Sequence, residues 1–578
     1  MRGEDATHSN NAYYSNVISN QANQKNQLNP GSDMRRFIVL LLCFAYFTNA
    51  CAQEWQWSIP VKNAKEGNGE ARAFLWVPPY CKLLKGVVMA QNNMEEQSIL
   101  ESPLFRRKMA ELDFAEVWVS PSFDHLFRFN EGAGDIFNTM MNDLADSSGY
   151  AELKQVPLVP IGHSASASWP YYFAAWDPQR TLTAISVSGQ WPLFRDAVFA
   201  PDIWGDKNID FVPCLETMGE YEAANTWSAE GLKERVEHPL MPLSMLACPA
   251  EGHFAASDKK IAYIALYIKK AVEYRLIKPA TLTTPALLKP INPTQAGWLV
   301  DKWRLNEKPI AKAAPVNKYK GNKAEAFWFF DDEMAKATEE YQSAERFKKA
   351  ALLGYVQDGK IVPQKNTHQQ VDLAFKPLQD GITFILKATF LDTVPSAHKR
   401  TSEWTGLPAG SPVGHPPNSY AIKIQRIAGP FEKINDSIFR LRLEKGISSK
   451  AANYAFWFAA KHPGDMHYKP AVQQAQMLVV SSNSNGVAQH IIFDSVINQL
   501  ASLKSIKLHA VSSASLPVQF YVKEGPAFIK DDTLVVDKIP VRSRYPVKIT
   551  VVAWQYGRNT EPAIQTAKPV ERSFYLIK

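Results

Sequence analysis

The sequence predicts an α/β protein whose mainly parallel sheet, with helices on both faces, is followed by β-sandwich domains. Three observations predict it. From Glu54 to about Leu276, short apolar runs alternate with amphipathic helical stretches, the pattern of parallel strands joined by crossover helices. Pro279, Pro285, Pro290 and Pro293 then crowd a stretch without sustained periodicity. Beyond it, short β-like runs separated by Gly, Pro, Asn and Asp dominate to the last residue.

With 578 residues the chain is several times a usual domain, and 46% apolar against 21% charged residues is the composition of folded globular protein. The formal charge of +7 is small for this length, and Lys and Arg are scattered among Asp and Glu, which argues against a nucleic-acid partner. No Cys and His spacing suits a metal, and neither a metal nor another cofactor is expected. Residues 1–33 are rich in Asn and Gln and read as a disordered leader or a start assigned too early. Residues 34–52 read as a signal peptide: Met34-Arg35-Arg36 precedes the apolar run Phe37 to Phe47, and Ala50 and Ala52 follow in an Ala-x-Ala arrangement. The run is short for a bilayer span, so cleavage after Ala52 is expected. The product would be an exported chain, periplasmic or secreted, starting at Gln53 without a transmembrane segment. Cys51 opens lipoprotein anchoring as the lesser alternative, because Phe47-Thr48-Asn49-Ala50 lacks the Leu expected three residues upstream. For Cys81, Cys214 and Cys248, buried free thiols are preferred to a disulfide.

In chain order, residues 53–276 form the α/β domain. Trp55 to Val61 and Ala71 to Val77 read as an entering hairpin and Gly86 to Gln91 as a buried strand. A helix near Leu100 to Leu112 and a strand at Ala115 to Val119 follow. The helix Asp135 to Leu144 carries Phe137, Met140, Met141 and Leu144 at helical spacing. The strand Val156 to Ile161 runs into Gly162-His163-Ser164-Ala165-Ser166, a helix, and the strand Leu182 to Val187. Two further strands end at Gly219 and Ala247, and a helix over Lys260 to Tyr274 closes the domain. Residues 277–320 are read as a linker and 321–484 as a β-rich middle domain, with one helix around Asp332 to Ala350. Its acidic start, Asp331-Asp332-Glu333, suits a helix N-terminus better than a metal. In 485–578, Leu516-Pro517-Val518-Gln519-Phe520, Gly525-Pro526-Ala527 and Val547 to Trp554 with Gln555-Tyr556-Gly557 occur in order. That order resembles a bacterial immunoglobulin-like module, which implies a β-sandwich that spaces, displays or binds.

The chemistry centres on Ser164. A serine hydroxyl attacks poorly at neutral pH unless a sharp strand-to-helix turn exposes it to a histidine that takes its proton, and such a turn demands small neighbours. Gly162 stands two residues before Ser164, while Ser166 fills the last place of the usual Gly-x-Ser-x-Gly. Partners follow in the order acid then histidine: Glu222, with Glu220 as fallback, lies just beyond the strand ending at Gly219. His253 lies on the loop after Leu243 to Ala247. His253 would act as base and Glu222 would hold its tautomer. Backbone N–H groups of Ala165 and Gln91, or of Asn92 in its place, would bind the oxyanion. His163 is expected to shape the turn.

Gln91, the Gly162 to Ser166 turn, Glu222 and His253 together resemble the dienelactone-hydrolase and esterase side of the α/β-hydrolase family, over about Glu54 to Tyr274. The resemblance implies a serine esterase acting through an acyl-enzyme. It also implies an inserted lid between Gln190 and Trp227, whose Trp191, Trp204 and Trp227 are candidates for substrate contact. Export and β-rich accessory regions favour an ester-bearing polysaccharide as substrate. A secreted serine peptidase of the same fold, or a binding protein with a degenerate hydrolase domain, are the alternatives, and a Ser164 to His253 contact near 3 Å would count against the last.

Overall fold

The computed structural model describes residues 54–192, 207–365, 370–396 and 399–578, and the stretches read as leader and signal peptide, with Cys51, and Trp204 lie outside them. Eight strands make the first sheet: β1 (Trp57–Pro60), β2 (Arg72–Trp76), β3 (Gly86–Gln91), β4 (Phe114–Ser120), β5 (Leu158–His163), β6 (Ala184–Val187), β7 (Cys214–Gly219) and β8 (Leu243–Cys248). Their spatial order is β1-β2-β4-β3-β5-β6-β7-β8, antiparallel from β1 to β4 and parallel thereafter. This is the α/β-hydrolase sheet. Every residue of β3, β4, β5, β7 and β8 is buried, which is why these strands read as apolar runs rather than as alternating ones. The order reverses at β3, which pairs with β4 on one edge and β5 on the other, so a crevice opens beyond the carboxyl ends of β3 and β5.

Helices α1 (Glu96–Leu100), α2 (Pro103–Glu111), α3 (Ala133–Ser148), α4 (Trp169–Trp176), α5 (Ala224–Glu237) and α6 (Asp258–Arg275) cover this sheet. Each start has a local cause where the sequence supplies one. Ser102 accepts from Phe105 N with Pro103 at the first turn of α2, and Ser257 accepts from Lys260 N at the start of α6. On α3 the buried stripe is Ile136, Phe137, Met140, Met141 and Leu144, so the expected helical period reports the packed face.

The stretch read as a linker is not a free connector. Trp298–Asp301 pairs with Ala326–Phe329, and Leu299, Val300, Trp303, Phe327 and Trp328 join the same apolar cluster as the eight-stranded sheet. Helix α7 (Asp332–Ser343) also belongs to this core, with Tyr263 of α6 bonded to Thr338 at 2.7 Å and Asp331 capping Met334 N at 2.9 Å. Each strand is only four residues long, too short to set up a period. Beyond α7, Asn453–His462 and Ala471–Val480 form a long hairpin flanked by Lys423–Ala428, and share a core of Phe384, Phe431, Phe439, Phe456 and Phe458 with the facing strands. The last strands, among them Gln519–Glu524, Val547–Trp554 and Val570–Ile577, enclose Phe520, Leu534, Ile549 and Phe574.

Cys81, Cys214 and Cys248 are buried and free. Cys214 opens β7 opposite Leu243 while Cys248 closes β8 opposite Gly219, so neighbouring strands hold the two thiols at opposite ends. Among the described residues no helix is long and apolar enough to cross a membrane.

Candidate active site

Strand β5 ends at His163, and Ser164 turns the chain with φ of +54°, a left-handed conformation that is strained for a side chain larger than glycine's hydrogen. The turn is tight enough that a Cβ at Gly162 would sit 2.0 Å from Ser166 O. Ser166 itself is buried and small, so the departure from glycine at that position leaves the turn intact. The turn's hydrogen bond, Ala167 N to Ser164 O at 2.9 Å, leads the chain toward α4. The aromatic run on α4 serves the core, with Trp169, Tyr171, Tyr172 and Phe173 all buried.

Glu222 and His253 arrive on two loops that pack directly on each other. A Cβ at Gly219 would lie 2.5 Å from Glu251 O, and Tyr221 N donates to that same oxygen at 2.9 Å. The result is a continuous chain of contacts. His253 Nε2 lies 2.9 Å from Ser164 Oγ, and His253 Nδ1 lies 2.6 Å from Glu222 Oε1. A carboxylate can only accept, so the proton sits on Nδ1 and Nε2 is left to accept from the serine hydroxyl. His253 and Glu222 side chains are only 5% and 9% exposed, which strengthens their interaction relative to one in bulk water. Glu220 points elsewhere: it pairs with Lys469 at 2.6 Å and accepts from Ala250 N at 2.9 Å.

Two carboxyls that sequence reasoning missed hold the turn from below. Glu96 accepts from Asn93 N at 2.9 Å, Met94 N at 2.8 Å and His163 N at 2.8 Å, tying the loop after β3 to the residue before Ser164. Burial pushes its carboxyl up to about 7, outweighing the three N–H donors that favour the charged form. Glu95 accepts from Ala256 N at 2.9 Å, three residues after His253, and burial raises it as well. The adjacent acidic pair in Asn92-Asn93-Met94-Glu95-Glu96, just past a buried strand, was the available signal. His163 is buried, with Nε2 3.1 Å from His253 O and its ring 4.8 Å from that of His253, a position that shapes the turn.

A cavity of about 180 Å³ adjoins Ser164, walled by Ala165, Ser188, Gly189, Trp227 and Arg400 among others. Ala165 and Trp227 are therefore at the site. Gln91 is not on its wall: its side chain is buried and bonds Asp124 O, Phe123 N and Asp124 N. Asn92 N is spent on Val119 O at 2.8 Å, because the β3–β4 ladder continues one residue past the strand. Trp191 is also away from the cavity, buried against Phe327 with ring centroids 5.8 Å apart, its Nε1 donating to Trp227 O. Its flat stacking on the strand Ala326–Phe329 makes it a core residue. A second cavity, about 550 Å³, lies behind the histidine loop between Gly252, Tyr341 and Lys461, and touches neither Ser164 nor Glu222.

The histidine loop is buttressed by the β-rich region. Gln474 Oε1 accepts from Phe254 N at 3.2 Å, and Trp457 packs 5.1 Å from the Phe254 ring. Tyr221 OH donates to Pro470 O at 3.0 Å.

No family model matches the chain, and no curated protein does. Solved structures similar over part of it include esterase PE8, at 14% identity over 34% of this chain and 97% of that one, with a TM-score of 0.26. The dienelactone hydrolase from Anabaena variabilis has 12% identity over 38% and 98%, with a TM-score of 0.25. The S-formylglutathione hydrolase from Agrobacterium tumefaciens has 15% identity over 37% and 93%, with a TM-score of 0.29.

Proposed function

We propose that this chain is a serine hydrolase that cleaves carboxylic esters through an acyl-enzyme on Ser164. The observation that carries the reading is the unbroken line from Ser164 Oγ to His253 Nε2 at 2.9 Å and from His253 Nδ1 to Glu222 at 2.6 Å. His253 takes the hydroxyl proton as Ser164 attacks the carbonyl, then returns it to the departing alcohol. Glu222 stabilises the imidazolium that forms between these steps. The N–H of Ala165, the residue after the nucleophile, is one donor to the oxyanion. Water then enters by the same base and releases the acid. The small cavity favours a short acyl or alcohol group beside the scissile bond. The segment Met34 to Ala52 supports export, and the β-rich regions after residue 345 support a polymeric substrate such as an esterified polysaccharide.

Hydrolysis of p-nitrophenyl acetate by the chain from Gln53 onward tests the reading. Ser164→Ala and His253→Ala, at equal folded content, are expected to lose activity by roughly 10³-fold or more. Covalent labelling of Ser164 by a fluorophosphonate should disappear in Ser164→Ala. Activity that survives both substitutions, or an unlabelled wild type, would sink the assignment.

A further inference from the structure

The cavity beside Ser164 holds two polar groups that ester cleavage leaves unused. Arg400 reaches its wall from α8 (Lys399–Thr405), in the β-rich region rather than in the eight-stranded sheet domain. Among the described residues its guanidinium has neither a carboxylate partner nor a hydrogen bond. Ser188, on the same wall, is 3% exposed, and its Oγ has no hydrogen-bond partner among the described residues. Its φ of +49° puts it in the left-handed region, where a serine side chain is tolerated only under constraint. A buried hydroxyl without a partner is costly, and the unpaired guanidinium on the same cavity wall adds donors, so one bound acceptor would engage both.

Among the described residues no carboxylate pairs with Arg400. Glu222 faces the cavity but is engaged by His253. Glu216, on β7, spends Oε1 on Gly189 N at 3.1 Å, and burial holds its proton on, so it is no counter-ion for Arg400. Nor is Arg400 on a loose arm. Trp404 of α8 packs 5.0 Å from Tyr221, next to Glu222, and Thr401 is buried. Leu352, Leu391, Val394 and Val413 seat the helix from behind.

We propose that Arg400 and Ser188 form a carboxylate subsite, and that the preferred ester carries a free carboxylate a few atoms from its scissile bond. This deepens the esterase reading and rests on it for turnover. Arg supplies the planar, permanently charged donor pair that a carboxylate fits, and the hydroxyl adds a third donor.

The test uses matched ester pairs that differ only in charge: 4-acetoxybenzoate against 4-acetoxybenzamide for a carboxylate on the alcohol side, and p-nitrophenyl hemiadipate against p-nitrophenyl adipamate for the acyl side. The readout is the ratio of kcat/KM within each pair for wild type, Arg400→Gln, Arg400→Lys and Ser188→Ala. In at least one pair the wild type should favour the anion by about tenfold to a hundredfold, the span of one charged hydrogen bond. Arg400→Gln should abolish that preference, Arg400→Lys should keep part of it, and Ser188→Ala should reduce it. Binding of the uncleavable 4-acetamidobenzoate by titration calorimetry separates the two ideas. If no ester is cleaved but this anion binds in an Arg400-dependent way, the esterase reading falls and the subsite stands. If esters are cleaved with equal ratios in wild type and Arg400→Gln, the subsite is overturned and the esterase reading survives.

Discussion

At the scale of single residues, Glu222 and Glu220 are the sharpest contrast, two carboxyls two positions apart with different work. Glu222 touches His253 Nδ1, whereas Glu220 is held by Lys469 and Ala250 N. Replacing Glu222 by Gln puts an amide that can donate where only an acceptor keeps the proton on Nδ1. A loss of kcat approaching 10⁴-fold is expected, by analogy with the aspartate-to-asparagine change in a serine protease triad. Glu220→Gln should cost stability instead, with melting temperature falling more than kcat, and the reverse ranking in a kinetic and thermal comparison would exchange their roles. Glu96 gives a pH test. Burial moves its carboxyl from the ordinary 4.5 to about 7, so the folded protein binds a proton that the unfolded chain releases between those values. Its contribution to stability is therefore full below about pH 4.5 and is lost as pH rises toward 7. Below about pH 4.5, Glu96→Gln should be less stable by about 1–3 kcal/mol, because its amide meets backbone N–H donors at one end. The difference from wild type should shrink between pH 5 and pH 7 in thermal melts, and a constant difference would contradict the assignment.

Elements carry the local logic that a sequence can express. The buried runs of β3, β5, β7 and β8 were legible because both faces of a parallel strand want apolar residues, and Gly162 and Ser164 were legible because the turn between β5 and α4 admits so little volume. A Cβ at Gly162 would meet a backbone oxygen at 2.0 Å, which no rotamer change relieves. Gly162→Ala should displace Ser164 and abolish fluorophosphonate labelling at a cost of 1 kcal/mol or more, about the low end for overpacking. Wild-type labelling in that variant would show a looser turn than this one. What stayed hidden at this scale had no period to report. Trp298–Asp301 is a strand of four residues among prolines, and the tryptophan read as a substrate contact, Trp191, is committed to core packing by Phe327, more than a hundred positions away.

Over the whole molecule, the site is completed by contacts that no local pattern announces. Lys469 lies 249 positions from Glu220, yet the pair is 3% and 4% exposed with its atoms 2.6 Å apart. The C-terminal strands are clamped to the same body, Arg72 to Glu524 at 2.6 Å and Arg542 to Glu152 at 2.8 Å, with Arg542 also 5.0 Å over the Tyr150 ring. Sequence reading treated these regions as accessories because chain distance conceals such pairings. The consequence is measurable through Lys469. Lys469→Met leaves Glu220 buried without its partner, and breaking a buried ion pair from one side costs about 3–5 kcal/mol. Because Glu220 also holds Ala250 N, three residues before His253, the loss should reach the histidine loop and lower kcat as well as melting temperature. The double change Lys469→Met with Glu220→Gln removes the stranded charge and keeps an acceptor for Ala250 N, so it should recover most of the stability and part of the rate. If the single variant melts early but turns over normally, the β-rich region supports the fold without positioning His253. If both fall and the double change restores both, the β-rich region helps to hold the histidine loop in place.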